Sequence, residues 1–206
     1  MSDQARNGDL LSAMTTEHFV LQSANGSTYA EASARSSLYV MALSSSLVAM
    51  GFLSTSEGMF LPFAATLLPA VFLLGLFTVV RLVETSLESM HCLTGIARIR
   101  QYYRSLGPEA VHQFTPEDGR WPEASSPALR LGPTLAFLGT TASMIAVTNN
   151  VVAGAGAALF AHSFWPTAPT WAYALLGVAI ALVLTLVFYA YQRWRFNDYA
   201  AGGQSF

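Results

Sequence analysis

The chain has 206 residues, 53% of them apolar and 11% charged, with a formal net charge of −2. That charged fraction is less than half the roughly 25% of soluble domains, and a near-neutral balance gives no footprint for nucleic acid. The single cysteine, Cys92, excludes an intramolecular disulfide and a multi-cysteine metal cage.

Four apolar segments stand out: Ser37–Ser54, Phe60–Val80, Thr134–Ala161 and Thr170–Gln192. Each is long enough, or nearly so, to cross a hydrocarbon core of about 30 Å as a helix. All ten basic residues are arginine. Arg6 and Arg35 precede the first segment. Arg81, Arg98, Arg100, Arg104, Arg120 and Arg130 lie between the second and third, and Arg193 and Arg195 follow the fourth. The first and third connections carry none. Lys and Arg are retained in cytoplasmic loops, so the pattern predicts a multi-pass protein of the cell (inner) membrane with both termini in the cytoplasm. The expected fold is an all-α four-transmembrane-helix bundle. It has an N-terminal cytoplasmic helix and a long cytoplasmic extension of the second span.

Residues 1–14 are polar and without an apolar period, and read as disordered. There is no basic stretch followed by an apolar run, so no signal peptide is expected at this end. Thr16–Ala24 reads as a short amphipathic helix. Asn25-Gly26-Ser27 reads as a break, followed by a capping box of Thr28 and Glu31 and an i,i+4 pair of Glu31 with Arg35. Pro62 suits the first turn of the second span. Pro69 lies inside it, removes the hydrogen bond to the Ala65 carbonyl and predicts a bend, which Thr66 is placed to relieve. Beyond Arg81 the residues Val83, Leu87, Met90, Leu93, Ile96 and Ile99 form one apolar stripe. Gly107-Pro108 ends the helix. These signals divide the chain into a flexible segment at 1–27, a first helical hairpin with its extension at 28–107, a Pro-rich linker at 108–133, and a second hairpin with a tail at 134–206. Trp165 and Trp171 suit an outer aromatic belt, Tyr191 and Trp194 an inner one.

Three constellations can carry function. Ala142, Ala146, Asn150, Gly154 and Ala158 lie at i+4 spacing and form a ridge of small residues. Gly177, Ala181 and Thr185 answer it on the fourth span, and Ala42, Ser45, Ser46 and Ala49 on the first. Small residues let helix backbones approach closely in lipid, either within the bundle or between subunits. Asn149 and Asn150 fall inside a span, where an unpaired amide costs several kcal/mol. They point about 100° apart, so one is expected to meet Ser44–Ser46 or Thr185 and the other a second subunit or water. Glu84, Glu88 and His91 share a helix face. An arginine-paired network, a solvated face and a metal site shared with a second subunit are the readings open to it. Arg98, Arg100 and Arg104, with Tyr102 and Tyr103, form a basic-aromatic cluster suited to helix packing or to anionic headgroups.

The absence of lysine excludes a P-loop, a Schiff base and a lysine base. No H-E-x-x-H, G-x-S-x-G or calcium-loop pattern occurs. No charge sits inside a span, which argues against proton-coupled transport and voltage sensing. No cofactor is expected.

The stretches TEHFVLQS, AEASARSSLYVMALSSSLVAMGF, LPAVFLLGLFTVVRLVETSLES and IARIRQYYRSL resemble an uncharacterised family of small integral membrane proteins of high-GC bacteria. The resemblance covers roughly residues 16–106. It implies a four-span membrane protein and supplies no activity or catalytic residue. Helices flanking a membrane hairpin also resemble, in architecture alone, the SLATT-type membrane modules of bacterial conflict systems.

The expected function is non-enzymatic: self-association, or docking of another membrane protein, through the small-residue spans and the cytoplasmic helix. The lipid bilayer is the first partner. The alternative is a pore-forming or channel-like effector gated by that helix. The arginine asymmetry makes a direct prediction. In a Cys92→Ser background, cysteines placed at Glu57 and Ala168 are labelled by a membrane-impermeant maleimide only from outside, and those at Ser105 and Gln204 only from inside. Opposite labelling overturns the topology.

Overall fold

The computed structural model describes residues 3–56, 58–114 and 138–202. Within them the chain is helical without strands. Its elements are α1 (Asp3–Leu53), α2 (Phe60–Arg104), α3 (Pro108–Phe114), α4 (Thr141–Phe164) and α5 (Thr170–Gly202). The four long helices are all long and apolar enough to cross a membrane. At about 1.5 Å per residue, α1 and α2 run roughly 75 and 68 Å, more than twice a hydrocarbon core. Contacts divide the chain into two compact units. One holds Met1–Glu31 with Thr85–Ala136, the other Ala32–Glu84 with Phe137–Phe206.

In the first unit the N-terminal part of α1 packs antiparallel against the C-terminal part of α2. Helix α1 is continuous through Asn25-Gly26-Ser27, so the expected break and the disorder before it are replaced by helix. The reason lies in the side chains. Thr28 Oγ1 does not cap a helix start but donates to the Asn25 carbonyl at 2.7 Å. Asn25 Oδ1 accepts from Ser89 Oγ at 2.7 Å across the helix pair. Gly26 keeps an ordinary negative φ. A tertiary partner thus overrides three residues of weak helix propensity. The face of α2 is also corrected. Ser89 and Cys92 are buried, together with Leu87, Ile96 and Ile99, whereas Met90 is 39% exposed. Thr85, Ser89, Cys92, Ile96 and Ile99 alternate at spacings of four and three, which is the 3.5-residue period of a two-helix seam rather than the 3.6-residue stripe of an isolated surface helix. Gly95 lies against Leu21.

Helix α2 stops at Arg104, and Pro108 opens the short helix α3 at its first position, where the missing N–H is harmless. The sequence pattern showed only a stop there. The remainder of the Pro-rich linker lies outside the described residues.

In the second unit, Ser54–Met59 joins α1 to α2, with Gly58 at φ +81°, a backbone state that glycine adopts without strain. Tyr39, Val71, Val79, Leu82, Val83, Ile145 and Phe188 form the core, with Ala142 and Ala146 between them. Pro69 sits inside α2. Thr66 does not bond the Ala65 carbonyl freed by Pro69; its hydroxyl donates to the Pro62 carbonyl at 3.1 Å. Helix α4 starts at Thr141, later than the expected Thr134, because Thr140 takes the cap with extended backbone and accepts from the Ser143 amide. Residues 134–137 are outside the described part.

Helices α4 and α5 form a close hairpin across the turn that contains Trp165, whose carbonyl accepts from the Tyr173 hydroxyl. The packing is made by Gly154 and Gly177. A Cβ on Gly154 would run into the Gly177 carbonyl, and one on Gly177 would stand 2.8 Å from the Gly154 carbonyl. The Ala142–Ala146–Asn150–Gly154 ridge is therefore used inside the bundle.

Gly75 is a second close approach. A Cβ there would overlap the Asn149 amide and come within 2.7 Å of the Tyr39 ring, whereas one at Gly26 would meet nothing within 4 Å. Gly75→Ala is expected to lower stability by about 1–3 kcal/mol through overpacking. Gly26→Ala should raise it by about 0.5–1 kcal/mol, because alanine is the better residue in a helix interior. Melting temperatures of both variants in detergent check the contrast, and equal shifts of the same sign would refute it.

Candidate functional site

The polar groups buried in the second unit form a short series of junctions. The Tyr39 hydroxyl donates to Asn149 Oδ1 at 3.2 Å, and Asn149 Nδ2 donates to the Phe72 carbonyl at 3.2 Å. Tyr39 is fully buried and Asn149 is 2% exposed. One side chain therefore ties α4 to both α1 and α2. Gly75, one turn from Phe72, leaves the space in which the amide sits. Asn150 Nδ2 donates to Thr185 Oγ1 at 3.1 Å, joining α4 to α5. Nearer the start of α4, Ser143 Oγ donates to Gln192 Oε1 at 3.3 Å, and Gln192 Nε2 donates to Thr140 Oγ1 at 3.3 Å.

These contacts match one sequence expectation and correct another. Asn150 meets Thr185, one of the two partners named for an in-span amide. Asn149 bonds Tyr39 and the Phe72 carbonyl within the chain rather than Ser44–Ser46. Ser45 and Ser46 instead bond backward to Met41 and Ala42 carbonyls of their own helix. Thr78 and Thr148 do the same to Leu74 and Met144. Such back-bonding hides a hydroxyl within an apolar helix. Tyr39 was missed because nothing in its local pattern marks a hydroxyl that finds its acceptor 110 residues away. Gln192, 1% exposed, was missed because it read as the end of a span.

Glu84 holds Arg195 in a bidentate pair, with Nε to Oε1 at 2.9 Å and Nη2 to Oε2 at 2.7 Å. Such a fork is the strongest geometry open to a carboxylate and arginine. It keeps the guanidinium charged, raising its already high pKa, with the hydrogen bond donated to Glu84 as the largest cause. Asp198 approaches the same arginine at 3.5 Å, and Trp194 lies 5.8 Å beneath it. The acidic face of α2 is thus partnered at Glu84 by the arginine that follows the fourth span.

In the first unit, Glu88 and His91 are exposed. Arg98 is exposed as well. Arg100 and Arg104 each donate to the Phe114 carbonyl at 3.4 Å, so two cations sit at the C-terminal end of α3, where the helix dipole favours them. The Tyr103 and Phe114 rings lie 5.3 Å apart, tilted 44° to one another. Arg100, Arg104 and Tyr103 therefore seat α3 on α2. His18 lies on the inner face of α1, and its buried Nδ1 has no hydrogen-bond partner among the described residues. Among the described residues no three His, Cys, Asp or Glu side chains gather as metal ligands.

No family model, curated protein or solved structure matches the chain.

The junction at Asn149 yields a quantitative expectation. Interhelical hydrogen bonds in membranes are worth about 0.6–2 kcal/mol. A double-mutant cycle of Tyr39→Phe and Asn149→Leu should return a coupling energy of about 0.6–2 kcal/mol in detergent unfolding, with native mass unchanged. Zero coupling would show that the two side chains do not share the bond.

Proposed function

We propose that the chain is a non-enzymatic, multi-pass protein of a bacterial inner membrane, with both termini cytoplasmic, that acts by self-association. The observation that carries this reading is a groove of about 490 Å³ between α4 and α5. Its lining includes Val151, Ala155, Ala158, Ala174, Gly177 and Ala181. Ala155 and Ala174 are exposed along it. The groove lies beside the Gly154–Gly177 contact, and Ala155 and Ala174 add exposed small side chains to those the α4–α5 packing already uses. In lipid, a groove floored by small residues is where a second helix gains van der Waals contact that lipid tails do not match. The two helices of the groove in one copy are the natural counterpart for the same two in another, as in a two-fold symmetric contact.

A pore within one copy has less to draw on. Its spans carry no described charge at the junctions. The hydroxyls of Ser45, Ser46, Thr78 and Thr148 turn back on their own helices. Both in-span asparagines bond within the bundle.

Native mass in nanodiscs, with conductance across a planar bilayer, tests the proposal. The wild-type chain should form a discrete oligomer and add no conductance above that of the lipid. Ala155→Leu and Ala174→Leu fill the groove from exposed positions and should dissociate the oligomer at least tenfold while leaving the melting temperature of the monomer within a few degrees. A monomeric wild type, or discrete single-channel steps, would overturn it.

A further inference from the structure

A second cavity lies between α2, α4 and α5, on another side of Asn150 from the α4–α5 groove. It has a volume of about 290 Å³, roughly twice the 150 Å³ that holds a benzene molecule in an apolar protein interior. Its walls are Phe72, Leu76, Val79, Leu184 and Phe188 among other apolar side chains, with Asn149, Asn150 and Tyr191 as the polar members. No wall residue is acidic or basic. Leu76, Val80 and Val187, 42%, 40% and 60% exposed, stand where it opens.

The polar members differ in what they have left to offer. Asn149 uses its carbonyl on Tyr39 and one amide proton on the Phe72 carbonyl. Asn150 uses one amide proton on Thr185, and its Oδ1 accepts no hydrogen bond among the described residues, although the residue is 7% exposed. A carbonyl oxygen held in an apolar cavity without a donor costs free energy until a donor arrives. The cavity therefore combines an uncharged apolar wall, the Asn150 Oδ1 acceptor, the Tyr191 hydroxyl and an exit toward the hydrocarbon. A charged headgroup has no counter-ion there. A pure hydrocarbon leaves the acceptor unmatched.

We infer that the cavity binds the hydroxyl end of a neutral single-chain alcohol dissolved in the bilayer. The hydroxyl donates to Asn150 Oδ1, the first carbons fill the space between Phe72 and Phe188, and the remaining chain leaves past Leu76, Val80 and Val187. Binding of this kind would tie α2 to α4 and α5 through a molecule drawn from the lipid phase.

The test uses the full chain in phosphatidylcholine nanodiscs and two photoactivatable probes of equal length, a diazirine-bearing dodecanol and the matching dodecane. Dodecanol should label peptides containing Leu76 and Val187, unlabelled dodecanol should compete, and the alkane should label about fivefold less, as expected for one hydrogen bond of ordinary net strength. Asn150→Leu should reduce dodecanol labelling about fivefold to the alkane level. Because that change also removes the bond to Thr185, a second variant is needed. Val187→Trp fills the exit from an exposed position, keeps Asn150 intact, and should abolish labelling of the α2 peptide by either probe. Equal labelling by alcohol and alkane, or labelling unaltered by Val187→Trp, overturns the inference.

Discussion

Hydrocarbon offers no hydrogen bonds, and the second unit is organised around that constraint. Asn149 is an amide placed where water is not at hand, so it must find its partners in the protein. It does so by accepting from Tyr39 on α1 and donating to the Phe72 carbonyl on α2. Both partners are reached only because Gly75 presents no side chain to the amide. One polar residue thereby fixes the mutual approach of three helices, and the apolar residues around it, Val71, Val79, Leu82 and Ile145, pack about that fixed point.

The α4–α5 hairpin meets the same constraint by a different route. Between Gly154 and Gly177 there is almost no side-chain volume, and the helices touch backbone to backbone. Dispersion between closely spaced backbones takes the place of the hydrophobic effect, which cannot drive apolar helices together in lipid. At the ends of the spans, where charge is tolerated, the bond between Glu84 and Arg195 fastens α5 to α2 with a bidentate fork.

Much of this was legible in the amino-acid order. Apolar runs of membrane length could be read directly, because they depend on composition alone, and Thr185 stood among the partners open to an in-span asparagine without being assigned to Asn150. Tyr39 and Gly75 could not be. A tyrosine and a glycine in apolar helices look ordinary until a residue from another helix arrives between them. Asn25-Gly26-Ser27 misled for the converse reason. Its local signal for a break is real, but Ser89 gives the Asn25 side chain a tertiary partner that the helical register satisfies. The displacement of the α2 seam from Met90 to Ser89 and Cys92 has a geometric source, since a helix paired along its length repeats every 3.5 residues and drifts from the 3.6 of a lone helix. Helix α3 escaped notice because Gly107-Pro108, which ends one helix, also begins the next.

The short connection at Gly58 has a kinetic consequence. Contacts between α1 and α2 span increasing lengths of chain with distance from that turn. Asn25 and Ser89 are 64 residues apart, and Thr15 and Tyr103 are 88 apart. Closing a loop costs more as it lengthens, though only logarithmically, so the pairs nearest the turn close first and each closure shortens the search for the next. Assembly of the two long helices then proceeds as a zipper from Gly58 outward. In that sequence Asn25 and Ser89 meet late, and their bond serves as a check on registry: a pairing slipped by one residue rotates the amide away from its hydroxyl and can reopen before the outer turns lock.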